Sequence, residues 1–110
     1  MSESNESLVG RRVELADLVD YAPGAVVSRE VMKRPAGTVT VFAFDKGQGL
    51  SEHTAPFDAL VLVLDGTAEV RIVGEPQRVS GGQVLIMPAN VPHALEAVER
   101  FKMLLVMIRG

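Results

Sequence analysis

Polar and apolar residues alternate along two segments in the middle of the chain. Segments 38–44 and 67–73 place apolar side chains at about every second position, which is the period of a β-strand. Strands with this pattern are typical of antiparallel sheets that bury one face and leave the other in water. The two segments therefore predict half-exposed antiparallel strands.

Other segments are short, rich in Val, Thr, Ile and Phe, and separated by turn residues roughly every 8–15 positions, a spacing typical of all-β proteins. The predicted strands are 25–32, 38–45, 58–64, 67–73, 77–79, 84–87 and 101–108. Between two of them, Asp65-Gly66 is a two-residue hairpin signal. It predicts a hairpin that joins the strand ending at Leu64 to the one starting at Thr67.

One short helix is predicted near the N-terminus. Leu15, Leu18 and Val19 lie at helical spacing within segment 13–21, and a Pro-Gly pair ends that segment. Residues 1–10 have too little apolar content to pack, so they are predicted to be a disordered or loosely held tail. Because 47% of the 110 residues are hydrophobic, residues 11–110 suffice for a single domain with its own core.

The last predicted strand is apolar at every position from 103 to 108. Such a strand must be covered on both faces. One face can fill the interior of a barrel or sandwich, and a large exposed apolar patch is uncommon on monomers. The other face therefore indicates a second subunit, and we expect a homodimer.

Composition and charge exclude several classes of function. The chain has no cysteine, which excludes thiolate nucleophiles, cysteine zinc sites, iron–sulfur clusters and disulfides. Its net charge is −3 and its basic residues are scattered, so we expect no nucleic-acid partner. The longest apolar runs are far shorter than the about 20 residues of a membrane-spanning helix, and the N-terminus is polar and acidic. We therefore expect no membrane partner and a cytoplasmic location.

Two histidines, His53 and His93, are the main candidates for chemistry, and each lies in a turn-rich context. A lone histidine is more often a surface or hydrogen-bonded structural residue than a ligand. Here, however, the surrounding residues fall at the spacing of two short motifs: Gly47, His53 and Gly66 in the first, and Gly82, Pro88 and His93 in the second. The motif spacing therefore favours a functional role for the two histidines over a purely structural one.

With these motifs, residues 38–108 resemble the cupin superfamily. Asn90 stands where the second motif has its second glycine. After glycine itself, asparagine is the residue type that best tolerates the left-handed backbone conformation. The resemblance implies an all-β, single-domain, double-sheet jelly-roll β-barrel, here with one short N-terminal helix. It also implies a barrel interior that holds the functional residues.

The resemblance further implies a metal held by three histidines and one glutamate, but two of the four are missing. Ala55 stands at the second histidine and Ala59 at the glutamate. The neighbouring Asp58 is a fallback ligand that, with His53 and His93, would imitate the two-histidine, one-carboxylate set of iron or manganese sites. Strand alternation opposes this, because it points Asp58 away from the face of Ala59.

We expect a small molecule to bind inside the barrel, hydrogen-bonded by the two histidines. Two alanines in place of a histidine and a glutamate enlarge the pocket and remove a charge, which favours a less polar ligand. The expected lining residues are His53, Ala55, Phe57, Ala59, Met87 and His93, with Phe57 as a lid or wall at the mouth. No cofactor is certain; Zn, Ni, Fe or Mn are candidates, and a site of two imidazoles would hold such metals weakly.

Three classes of function stay open, in this order. The first is a small-ligand binding module with an incomplete metal site. The second is a metal-dependent cupin enzyme of the dioxygenase or isomerase type that uses His53, His93 and a substitute third ligand. The third is a scaffold that uses the barrel alone, since a fold of this kind does not determine function.

Overall fold

Short strands separated by turns make up most of the structure, a computed structural model that describes residues 8–109. These residues form nine strands: β1 Val26–Arg34, β2 Gly37–Phe44, β3 Gly49–His53, β4 Asp58–Asp65, β5 Thr67–Ile72, β6 Glu75–Ser80, β7 Val84–Met87, β8 His93–Ala97 and β9 Phe101–Ile108. Among the same residues no helix is long and apolar enough to cross a membrane. The predicted tail falls, for residues 1–7, outside the described part of the chain.

The strands form two antiparallel sheets. A five-stranded sheet, called the large sheet below, has the order β1-β2-β9-β4-β7, and a four-stranded one, the small sheet, has the order β3-β8-β5-β6. The chain passes between the sheets several times, so strands that are neighbours in sequence often belong to different sheets. The predicted all-β, double-sheet jelly-roll architecture is confirmed.

The core lies between the two sheets because each strand turns alternate residues inward. Along β4, for example, Ala59, Val61 and Val63 are buried, whereas the residues between them are partly exposed. At one end of the interior, Phe44 and Phe101 stack with their ring centroids 4.5 Å apart and both are fully buried. This pair closes that end of the barrel.

The predicted helix over 13–21 is reduced to a single 3-10 turn, Leu15–Leu18. No described side chain caps the turn, and the backbone is extended again at Val19. Long-range contacts hold this segment instead: the Tyr21 hydroxyl donates a 2.6 Å hydrogen bond to Asp65, and Lys102 Nζ donates one of 2.7 Å to the Ala16 carbonyl. The leucines and Val19 pack on the outer face of β2, so tertiary contacts override the helical spacing.

The hairpin predicted at Asp65-Gly66 is wrong. The strands on either side, β4 and β5, lie in different sheets, so Gly66 marks a crossing between sheets rather than a hairpin turn. A tight two-residue turn instead joins β5 to β6 at Val73 and Gly74, whose φ angles of 52° and 79° are both positive, as a type I′ turn requires. The sequence predicted a break between these two strands but not a two-residue turn, because a β-branched residue is rare in that conformation.

Candidate functional site

The two candidate histidines lie opposite each other on neighbouring strands of the small sheet. His53 is the last residue of β3 and His93 is the first of β8, and the two are paired in register. A register shift between Leu50 and His53 inserts an irregularity into β3. As a result both Leu50 and His53 line the barrel interior, although they are three residues apart. Neither strand was among the predicted ones.

The two imidazole rings are in contact, with centroids 4.4 Å apart and planes at 72°. His53 is exposed at the mouth of the barrel, and its Nδ1 lies 2.7 Å from the carbonyl oxygen of Ser51. Because a carbonyl oxygen can only accept, this contact places the proton of a neutral His53 on Nδ1. Its Nε2 then carries a lone pair for a ligand.

His93 is only 3% exposed, and its Nδ1 has no hydrogen-bond partner among the described residues. Burial lowers the pKa of His93 below the usual 6.5, the neighbouring His53 lowers it further, and the Val91 backbone opposes both more weakly. The ring is therefore neutral at pH 7, with one nitrogen able to accept a hydrogen bond or bind a cation.

A small cavity of about 40 Å³ adjoins both rings. Its lining is apolar apart from the histidines: Leu50, His53, Ala55, Ala59, Met87, His93, Leu95, Met103, Leu105 and Met107. The structure thus brings together the expected His53, Ala55, Ala59, Met87 and His93. A site for an organic ligand usually measures about 300–1,000 Å³, so this cavity suits a few water molecules, an ion or a ligand of a few atoms.

Phe57 lies apart from this cavity, contrary to its expected role as a lid or wall. Its half-buried ring lines a separate small pocket with Gly37, Thr38, Met107 and Arg109. The Arg109 guanidinium sits 5.1 Å from the ring centroid, as in a cation–π contact. Phe57 therefore packs beside Met107 and Arg109, outside the cavity that adjoins the histidines.

Asp58 is exposed and does not approach the histidines as a third ligand. Its Oδ1 accepts a 2.9 Å hydrogen bond from the backbone N–H of Ala89, which fits the strand alternation expected from the sequence. Within residues 8–109 there is no group of three or more His, Cys, Asp or Glu side chains that could hold a metal. The four-ligand set implied by the resemblance therefore does not fit this chain.

The sequence prediction missed part of the cavity wall. Five lining residues were not among those expected from the sequence: Leu50, Leu95, Met103, Leu105 and Met107. All five lie on inward positions of β3, β8 or β9. Side chains of a strand point alternately to its two faces, and this was the available signal that Met103, Leu105 and Met107 share one face. It could not show which end of the core was open.

Acidification is expected to destabilise the metal-free protein through His93. The unfolded chain keeps the ordinary imidazole pKa near 6.5, whereas the folded value is lower, so the unfolded chain binds more protons between the two. This contribution to stability is fully present above pH 6.5 and is lost as the pH falls through the folded pKa of His93. Urea denaturation at about pH 7.5 and about pH 5 measures the loss.

An NMR titration of the imidazole protons measures the pKa of His93 directly and checks that His93 causes the loss of stability. His53 is the titratable side chain that lines the cavity with His93. In His53→Ala the pKa of His93 is expected to rise, because the electrostatic effect of the neighbouring imidazole is removed, although burial, the larger cause, still keeps it low. An unchanged or lower His93 midpoint in that variant contradicts the assignment.

Fold and site together define a small jelly-roll barrel with a histidine pair at the mouth of its interior. The chain belongs to the cupin family: the family model described as "Cupin domain" matches residues 40–108.

Solved structures agree with this assignment. A conserved protein of unknown function from Streptococcus pyogenes is 41% identical over 100% of this chain and 96% of its own, with a TM-score of 0.90. A cupin 2 conserved barrel domain protein from Leptotrichia buccalis is 42% identical with a TM-score of 0.83, and the match covers 86% of this chain and 46% of that chain. A cupin superfamily protein from Desulfitobacterium hafniense is 28% identical over 92% of this chain and 93% of its own, with a TM-score of 0.86. No curated protein matches the sequence.

Proposed function

We propose that this cupin is a binding protein that holds a ligand of only a few atoms inside the barrel, through His53 and His93. The observation that carries the proposal is Nδ1 of His93, a polar atom that is buried beside a mostly apolar cavity and has no hydrogen-bond partner within residues 8–109. A buried polar group without a partner costs about 1–3 kcal/mol. A ligand that pairs with the imidazole would recover part of that cost.

The two alternatives account for less of the structure. A metal-dependent enzyme with His53, His93 and a substitute carboxylate needs a third ligand, and Asp58 is hydrogen-bonded elsewhere. A scaffold without a ligand needs no buried, unpaired imidazole. The order of functions drawn from the sequence is therefore kept, with a much smaller ligand than the two alanines suggested.

Methionine methyl groups are the natural reporters for this site. Of the five methionines, Met87, Met103 and Met107 line the cavity, whereas Met32 is exposed on β1. Protein labelled with ¹³C at these methyl groups and treated with chelator would be titrated with formate, acetate, Zn²⁺ and Ag⁺. At least one probe is expected to shift the cavity signals saturably and leave Met32 unchanged.

His53→Ala is the decisive variant because His53 is exposed and its loss leaves the core intact. The shifts are expected to disappear in this variant and in His93→Ala. If no probe moves the cavity methyl groups, or if the shifts persist in both variants, the proposed function is wrong.

A homodimer through the outer face of the large sheet is a second proposal. That face carries an apolar patch across β4, β7 and β9: Leu60, Leu62, Val84, Ile86, Val106 and Ile108. Val84, Ile86 and Ile108 are 55–58% exposed, and contiguous patches of this kind are uncommon on monomers. A second copy of the chain would cover the patch by packing sheet against sheet.

Ile86→Glu is expected to convert the dimer into a monomer, because an unpaired carboxylate in an apolar interface costs several kcal/mol. Sedimentation velocity measures the change, and far-UV circular dichroism shows that the monomer stays folded. Met32→Glu, a change at another exposed apolar residue on the far edge strand β1, is the control and should remain dimeric. A monomeric wild-type chain refutes the proposal.

A further inference from the structure

We propose that the ligand of this cavity is a soft monovalent metal ion of the Cu⁺ class, bound by the imidazoles of His53 and His93 and the thioethers of Met87 and Met107. This inference rests on the proposed function, because it names the ligand for the same histidine pair. It also follows from the disagreement described above: this chain does not carry the donor set of a divalent cupin metal.

Strand pairing places Met87 and Met107 on either side of Ala59, the position at which the family motif has its glutamate. Ala59 on β4 is paired with Met87 on β7 and with Met107 on β9. Paired residues of neighbouring strands face the same side, so these three side chains form one row across the large sheet. Ala59 and Met87 are buried, and all three line the cavity. The small alanine between two long, flexible thioethers leaves space into which the sulfur atoms can move.

The histidine pair has a spacing suited to a shared metal ion. With a metal–nitrogen bond of about 2.0 Å, the ion lies about 3.2 Å from each ring centroid, so angles of about 90–120° at the metal need centroids about 4.5–5.5 Å apart. The observed separation is 4.4 Å. A shared ion therefore needs the pair to widen slightly, with one nitrogen of each ring turned toward the ion. In the neutral form of His53, the contact with the Ser51 carbonyl leaves Nε2 unprotonated, as a metal ligand must be.

The chemistry of the wall selects the charge and softness of the ion. Thioethers are soft ligands that favour Cu⁺, whereas carboxylates and water favour harder divalent ions. The cavity lining contains no Asp or Glu that could neutralise a double charge. A single charge costs less to bury in such a wall than a double one. The volume of about 40 Å³ also fits an ion better than an organic molecule.

Anaerobic competition against a chromogenic Cu⁺ chelator tests the affinity, with Ag⁺ as a probe that has no redox chemistry under the same conditions. We expect one ion per chain, and we expect Zn²⁺ to bind more weakly than Cu⁺. On addition of Ag⁺, the ¹³C signals of the Met87 and Met107 methyl groups should move most. The double variant Met87→Leu/Met107→Leu keeps the side-chain size and removes both sulfurs, so affinity should fall by about tenfold or more.

Met32→Leu is the matched control, since it removes a thioether from an exposed site on β1, and it should leave Cu⁺ affinity unchanged. If the double leucine variant binds Cu⁺ as tightly as wild type, or if Zn²⁺ binds equally tightly, the soft-metal inference is wrong, while dependence on His53 and His93 would still support the proposed function. If binding of every probe is independent of both histidines, the proposed function is wrong as well.

Discussion

Gly66→Ala is expected to lower the free energy of unfolding by about 3–5 kcal/mol. Gly66 has a φ of +79°, a conformation that costs alanine free energy in any surroundings. In addition, a Cβ at this position would overlap the backbone carbonyl of Arg100 and crowd Phe101. Both are backbone atoms of the segment that enters β9, so neither can move aside without disturbing the large sheet.

The matched control is Gly82→Ala, in the turn between β6 and β7. Gly82 has a similar φ of +87°, but no atom of the part of the chain that the structure describes lies within 4 Å of the position of its Cβ. The strained backbone conformation alone should therefore cost about 1 kcal/mol there. Urea denaturation followed by circular dichroism measures both variants, and loss of soluble folded Gly66→Ala protein would lie in the expected direction. Equal destabilisation of the two variants would show that the Arg100 contact contributes nothing.

Gly66 also shows where sequence patterns reach their limit. The first motif includes this glycine at its expected spacing, yet the local Asp-Gly signal predicted a hairpin. The structure instead uses Gly66 to let the chain pass between sheets against the connection from β8 to β9. A two-residue turn signal predicts only the local backbone conformation. Which sheet the next strand joins depends on long-range strand pairing, which the dipeptide does not indicate.

The predictions that succeeded depended on local chemistry. Alternation predicted β2 and β5, and the substitution of asparagine for glycine predicted a left-handed turn, which Asn90 adopts with a φ of 65°. The prediction of a helix near Leu15 was wrong because the contacts of its leucines with β2 override the helical spacing. Spacing thus identified residues that pack on the sheet more reliably than the element that carries them.

The candidate site was predictable only in part for the same reason. The two histidines and two alanines followed from the motifs. The row formed by Met87, Ala59 and Met107 did not, because it depends on the pairing of β4 with both β7 and β9. The inward position of Leu50 was equally hidden, because it requires the irregularity in β3.

Along β9 the interior changes from a closed aromatic end to the open histidine end. Phe101, Met103, Leu105 and Met107 all point inward, and Phe101 is stacked on Phe44 whereas Met107 lines the cavity. The closed end is packed without contribution from the histidines. Stability and ligand binding should therefore depend on different ends of the same strand.

Phe101→Ala tests this separation and is expected to cost about 3–5 kcal/mol, because it removes a fully buried ring and its stacking partner remains in a void. Phe101→Leu should cost less, since it refills part of the space, and it keeps a folded protein available for measurement. Phe57→Ala is the control: its half-buried ring lies outside the core, so it should cost much less than Phe101→Ala.

Thermal and urea denaturation rank the three variants, and Ag⁺ titration of Phe101→Leu then examines the other end of β9. We expect metal affinity close to wild type in this variant, because His53, His93, Met87 and Met107 keep their positions. A loss of affinity as large as that of the double methionine variant would show instead that the aromatic stack positions the histidine pair. In that case the barrel interior would act as one unit, and the site could not be treated apart from the core.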